Sequence, residues 1–190
     1  MTPTNQHHRF ATLGLWLAWA WVTMTLTHEL GHVACGLAGG ATLVELQLQP
    51  WQLPHSMFIG DEHPLATLWA GFIVGCAVPL LVAAIVRLPA CWFVAWFCVV
   101  ANGTYLLLGY LGGDGELDSV KMLRCGARPA ELLGAVVVML PLGYIKFRQF
   151  CVDLMSGATP AMTARGLWIS GAALLGTLVV QAIVATLIRS

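Results

Sequence analysis

Residues 10–40 read FATLGLWLAWAWVTMTLTHELGHVACGLAGG, an apolar run with His28-Glu29-Leu30-Gly31-His32 set inside it. The run predicts a membrane-spanning helix from about Phe10 to Ala38. It is longer than the roughly 20 residues that a hydrocarbon core needs, so the helix tilts or projects beyond the core. On that helix His28 and His32 are four residues apart and share a face, with Glu29 beside it, the arrangement of an HExxH metal site. A charged residue at membrane depth costs about 2.5–3.5 kcal/mol and usually marks function. A structural zinc returns about 10–16 kcal/mol, which offsets that cost. Zinc held by two imidazoles lowers the pKa of a water to about 7, and a neighbouring carboxylate can take the proton as the water attacks a peptide carbonyl. The pattern therefore predicts a metal held by His28 and His32, with Glu29 as general base. A polar helix face of no chemical consequence is the competing reading, and the apolar flanks argue against it.

Composition sets the class. Only 9% of residues are charged and 58% are hydrophobic, and mean hydropathy is +0.80, against roughly 25% charged in a soluble domain. This predicts an all-α polytopic membrane protein of four to five transmembrane helices, a single domain over residues 1–190 with the lipid bilayer as its surroundings. The formal net charge is zero, and there is no basic patch with interleaved aromatics, so no nucleic-acid partner is expected. The six cysteines lack CxxC spacing and are read as small packing residues rather than a disulfide framework. The first span carries the histidines and no small-residue cleavage site, so it is not expected to be a removable signal peptide.

The remaining elements follow in order. Met1 to Arg9 is expected to be a short polar tail, and Trp16, Trp19 and Trp21 to be lipid-facing bulk. Gly39 and Gly40 stop the first helix. ATLVELQLQPWQLP then alternates apolar and polar residues, predicting a short strand or hairpin, an edge suited to an extended substrate. His55, Asp61, Glu62 and His63 are expected to be solvated loop residues. A second span from about Pro64 to Val86 contains Gly71 and Gly75 in a GxxxG, read as helix packing. A third runs from about Ala90 to Leu111. Its Asn102 is open to two readings, an interhelical hydrogen bond or a hold on substrate backbone. Gly112 to Asp118 is a glycine-rich acidic cluster followed by a polar loop. The fourth span, from about Glu131 to Tyr144 or a little beyond, is short and contains Pro141, so it is expected to be kinked or incomplete. Polar residues from Lys146 to Arg165 predict another connection before a last span from about Gly166 to Ile188.

These residues resemble the site-2 protease family of intramembrane zinc metalloproteases. The likeness rests on HELGH in the first span, the following GGATLVELQLQP, a second span of the form AGFIVGCAVPLL, and an Asp-Gly after the third span. It covers about Thr23 to Asp118, as a compact, divergent member. The resemblance implies a zinc held by His28, His32 and an aspartate, with Glu29 as general base, and a membrane-embedded protein substrate cut within or near a bilayer, the bacterial inner membrane being the expected one. Where the family has a proline between an Asn and Leu-Asp-Gly, this chain has Asn102, no proline, and Gly113-Asp114-Gly115. Asp114, at the end of a third span parallel to the first, is the expected third ligand, with Asp118 the substitute if the loop folds back. Asn102 is the candidate for substrate binding. A non-proteolytic membrane metalloprotein, or a small structural subunit of a membrane complex, remains the alternative.

Overall fold

A computed structural model describes residues 3–49, 51–113 and 115–188. Its elements are α1 (Pro3–Ala38), β1 (Thr42–Gln47), β2 (His55–Ile59), α2 (Pro64–Val86), α3 (Pro89–Gly112), α4 (Asp118–Arg124), α5 (Pro129–Ser156) and α6 (Ala164–Ile188). Five of these helices are long and apolar enough to cross a membrane, as a multi-pass membrane protein requires; α4 is not one of them.

Helix α1 holds 36 residues, about 54 Å at 1.5 Å per residue, and it starts well before Phe10. From Pro3 onward the expected polar tail is helical, and the side chains of His8 and Arg9 find partners across the bundle. Arg9 Nη1 donates to Met155 O at 2.7 Å, His8 Nδ1 meets Met162 O at 3.2 Å, and Met162 N donates to Thr12 Oγ1 at 3.0 Å. Trp16 is buried, not lipid-facing, with its ring centroid 5.3 Å from that of Phe93. Trp19 Nε1 donates to Ser170 Oγ of α6 at 2.9 Å. The helix ends as Gly39 and Gly40 predict. Gly40 takes φ +84°, and the amides of Gly40 and Ala41 donate to Leu37 O and Gly36 O, a Schellman closure that a residue without Cβ makes at little cost.

Strands β1 and β2 pair antiparallel, with Leu46 opposite Ser56 and Gln47 opposite His55, and a register shift between Leu43 and Glu45. The hairpin is one of the two forms that the alternation predicts, with its second strand at His55–Ile59, where the sequence predicts loop. His55 lies in β2, 3.5 Å from the Glu45 carboxylate across the pair, whereas Glu62 and His63 stay exposed.

The fourth span differs most from expectation. Helix α5 runs 28 residues, through Pro141 and on past Lys146, Arg148 and Asp153. Proline removes one backbone donor, but the turns on either side are held by apolar packing, with Val136 buried ahead of it and Gly143 set against Val99 and Val100 behind it. Lys146 and Arg148 are exposed and Asp153 is half-buried, with Gln149 Nε2 donating to Asp153 Oδ1 at 2.9 Å.

Two apolar clusters bracket the bundle. One gathers Trp16, Ala20, Phe93 and Leu154; the other gathers Phe72, Leu106, Met122, Leu132 and Val136. The second is what seats α4, through Met122, against α2, α3 and α5. All six cysteines are free.

Candidate metal centre

His28 and His32 project from one face of α1, and what each ring touches sets which nitrogen carries a proton. His32 Nδ1 lies 2.8 Å from the carbonyl of Thr67 on α2. A carbonyl only accepts, so Nδ1 donates. His28 Nδ1 lies 2.7 Å from Asn102 Oδ1 on α3. The orientation of that amide is itself fixed, because Asn102 Nδ2 donates to Cys98 O at 2.9 Å. In both neutral rings the proton is therefore on Nδ1 and the lone pair on Nε2. The two Nε2 atoms face each other at 3.0 Å.

A carboxylate completes the group. Asp118 Oδ2 lies 2.8 Å from His28 Nε2 and 3.2 Å from His32 Nε2. Three lone-pair atoms aimed at one point repel unless a cation or a proton lies between them. Tetrahedral ligands at about 2.0–2.2 Å from a metal such as zinc are separated by about 3.3 Å, a few tenths of an ångström more than the spacings of this triad. The donor set, two imidazoles each with a fixed acceptor behind it and one carboxylate, fits such a metal. In the chain alone a proton meets the same need. Burial pushes the Asp118 carboxyl up, but hydrogen bonding to and charge on His28 and His32 outweigh it and hold the group well below the usual carboxylate range.

Glu29 is buried, 3% exposed, and accepts a hydrogen bond from Ser56 Oγ at 3.0 Å. His28, Glu29 and His32 offer ligand atoms within 4.8 Å of one another and could together hold a metal ion. The group opens into a cavity of about 340 Å³ lined also by Ser56 and Phe58 of the hairpin, Tyr105 of α3 and Lys121 of α4.

Asp118 reaches the histidines because α3 does not continue. It ends at Gly112, Gly113 takes φ +66° and donates to Gly109 O, and the chain turns back along α3. At Gly109 a Cβ would collide with Ser119 Oγ and lie 2.9 Å from Leu117 Cβ. A glycine there lets the first turn of α4 lie against α3, which returns Asp118 to the depth of His28. The expected third ligand, Asp114, lies outside the described residues; the acid beside both imidazoles is Asp118. Asn102 makes the interhelical hydrogen bond of its two readings, and its amide is 1% exposed with oxygen and nitrogen both engaged.

Several residues that build the site carried no chemical signal in sequence. The sequence predicts a packing role for Gly71 and Gly75, and packing is how they act. A Cβ at Gly71 would overlap the His32 ring, and one at Gly75 would lie 3.1 Å from Asn102 Nδ2 and 3.3 Å from His28 Cα. Gly31, inside HELGH, brings α1 onto the backbone of Ala70. The GxxxG was the available clue. Thr67 and Ser56 had none.

No protein-family model, no curated protein and no solved structure matches this chain.

Proposed function

We propose that this chain is an intramembrane zinc metalloprotease, similar in its chemistry to the site-2 proteases, that hydrolyses peptide bonds of membrane-embedded protein substrates. The observation that carries the reading is the convergence of His28 Nε2, His32 Nε2 and Asp118 Oδ2 within 2.8–3.2 Å, beside the buried carboxylate of Glu29. Along α1, His28 lies about 15 Å from the end of the helix at Ala38, inside the apolar stretch Gln6–Ala38 that is long enough to cross a membrane. Three acceptors and a second carboxylate, that of Glu29, in so apolar a setting make little sense as packing, because each is costly to bury unpaired.

His28, His32 and Asp118 would hold the zinc, with Asn102 and the Thr67 carbonyl orienting the two rings. Zinc, when bound, supplies the Lewis acidity that lets a water lose its proton near neutral pH. Glu29 takes that proton and passes it to the leaving amine as the peptide bond breaks. Helix α2, the hairpin and α4 wall the cavity into which the substrate segment would enter.

The test is Glu29→Gln, measured by metal analysis of the purified protein and by cleavage of co-expressed single-span substrates. The change is nearly isosteric and removes the base, so about one zinc per chain should remain while cleavage falls by about 10²-fold or more. Wild-type cleavage by this variant, or a wild-type protein that carries no metal, would overturn the reading.

A further inference from the structure

We propose that Ser56 is a positioning residue that holds Glu29 in the place of a base and off the metal, with the β1–β2 hairpin as its carrier. This rests on the zinc-peptidase reading above and adds to it the reason that Glu29 is a base at all.

The difficulty for any carboxylate beside two histidine ligands is that it is itself a good zinc ligand. Glu29 offers an oxygen within 4.8 Å of the ligand nitrogens of His28 and His32, and zinc binds carboxylate oxygen at about 2.0–2.2 Å. A change of side-chain rotamer would carry it into the coordination sphere. At 3% exposure there is little water to restrain it. Among the described residues its hydrogen-bond partner is Ser56, whose Oγ donates to Oε2 at 3.0 Å.

Hairpin and helix meet at two points, Phe58 on Gly36 and Ser56 on Glu29. Glu29 and Gly36, seven residues apart, share a face of α1, while Ser56 and Phe58, two apart, share a face of β2. Phe58 lies on Gly36 so closely that a Cβ there would be 2.8 Å from Cε1 of its ring. That contact seats the strand. Opposite Ser56, Leu46 is 4% exposed and fixes the register from the β1 side. One apolar contact therefore docks the hairpin, and the serine two residues earlier is delivered to the base.

The experiment compares Ser56→Ala, Ser56→Val and Ser56→Thr in cobalt-substituted full-length protein, reading the visible absorption spectrum of the metal together with kcat and KM for a single-span substrate. Without the hydroxyl, Glu29 should join the metal. The Ala and Val variants should keep one cobalt per chain, show weakened and shifted d–d bands, and lose about 10–100-fold in kcat with KM nearly unchanged. Ser56→Thr, which keeps the hydroxyl and suits a strand, should restore both. The double variant Ser56→Ala/Glu29→Gln should return the spectrum to that of Glu29→Gln alone. Ser56→Val guards against a hairpin that fails to form in the Ala variant, since it matches Thr in shape. An unchanged spectrum in the Ala and Val variants overturns the proposal, whatever happens to kcat, as does a shift that survives in the double variant. If the wild type binds cobalt but cleaves nothing, the peptidase reading fails, and the spectra alone still decide the role of Ser56.

Discussion

The imidazole of His32 lies over the Cα of Gly71, in the space that a side chain at that position would fill. The same helix supplies the Thr67 carbonyl that fixes the tautomer of that ring, so α2 is the wall against which the second histidine is set. Gly71→Ala should therefore act on the metal before it acts on the fold. Overpacking of this kind costs about 1–3 kcal/mol, and the displaced ring should weaken zinc by about 10–100-fold. Metal titration of the purified variant checks this; wild-type affinity would mean that the ring has room to spare.

Asp118 stands 2.8 and 3.2 Å from the two histidine nitrogens. Asp118→Ala should accordingly lower zinc content sharply and abolish cleavage, whereas Asp114→Ala should leave both near wild type. Plasma emission analysis of the two variants, purified side by side, decides between the acids. Loss of zinc in the Asp114 variant with retention in the other would reverse the assignment.

Asn102 separates a positioning role from a substrate-binding one. Its oxygen accepts from His28 Nδ1, so Asn102→Leu, similar in size but without an acceptor, should reduce zinc affinity by about 10–100-fold. A residue that instead gripped substrate would raise KM and leave zinc affinity as it was, and that pattern would sink the positioning role.

Gln181 on α6 is 4% exposed, and neither its amide oxygen nor its nitrogen has a hydrogen-bond partner among the described residues. An amide buried unpaired costs about 1–3 kcal/mol, and an apolar group of similar shape avoids that cost. Gln181→Leu should thus raise the unfolding temperature in detergent, with cleavage unchanged because α6 contributes nothing to the metal site. A lowered temperature would show that the amide is satisfied by a partner outside this chain.

What the sequence determined by itself is everything that depends on near neighbours. The apolar runs define five membrane helices, Gly39-Gly40 ends the first, and the alternation after it makes a strand, because burial period and backbone conformation are local properties. The four-residue spacing of His28 and His32 places both rings on one face for the same reason, and Glu29 beside them. Pro141 and the charges after it were misleading. They resemble a helix end, yet α5 passes through them, since packing of its apolar face outweighs one lost backbone bond. The remaining members of the site depend on contacts between residues far apart in the chain. Whether Asp114 or Asp118 meets the histidines hangs on a left-handed turn at Gly113 and on the space left by Gly109, which together fold α4 back along α3. That Asn102 Oδ1 and the Thr67 carbonyl accept from the two Nδ1–H groups, and that Ser56 donates to Glu29, follows from how closely α1, α2, α3 and the hairpin approach, which glycines at 31, 36, 71 and 75 permit. A glycine in an apolar helix reads the same in sequence whether it makes room for a lipid, a neighbouring helix or a ligand's imidazole; only the packed structure says which, because the distinction lies in what occupies the space its missing side chain leaves.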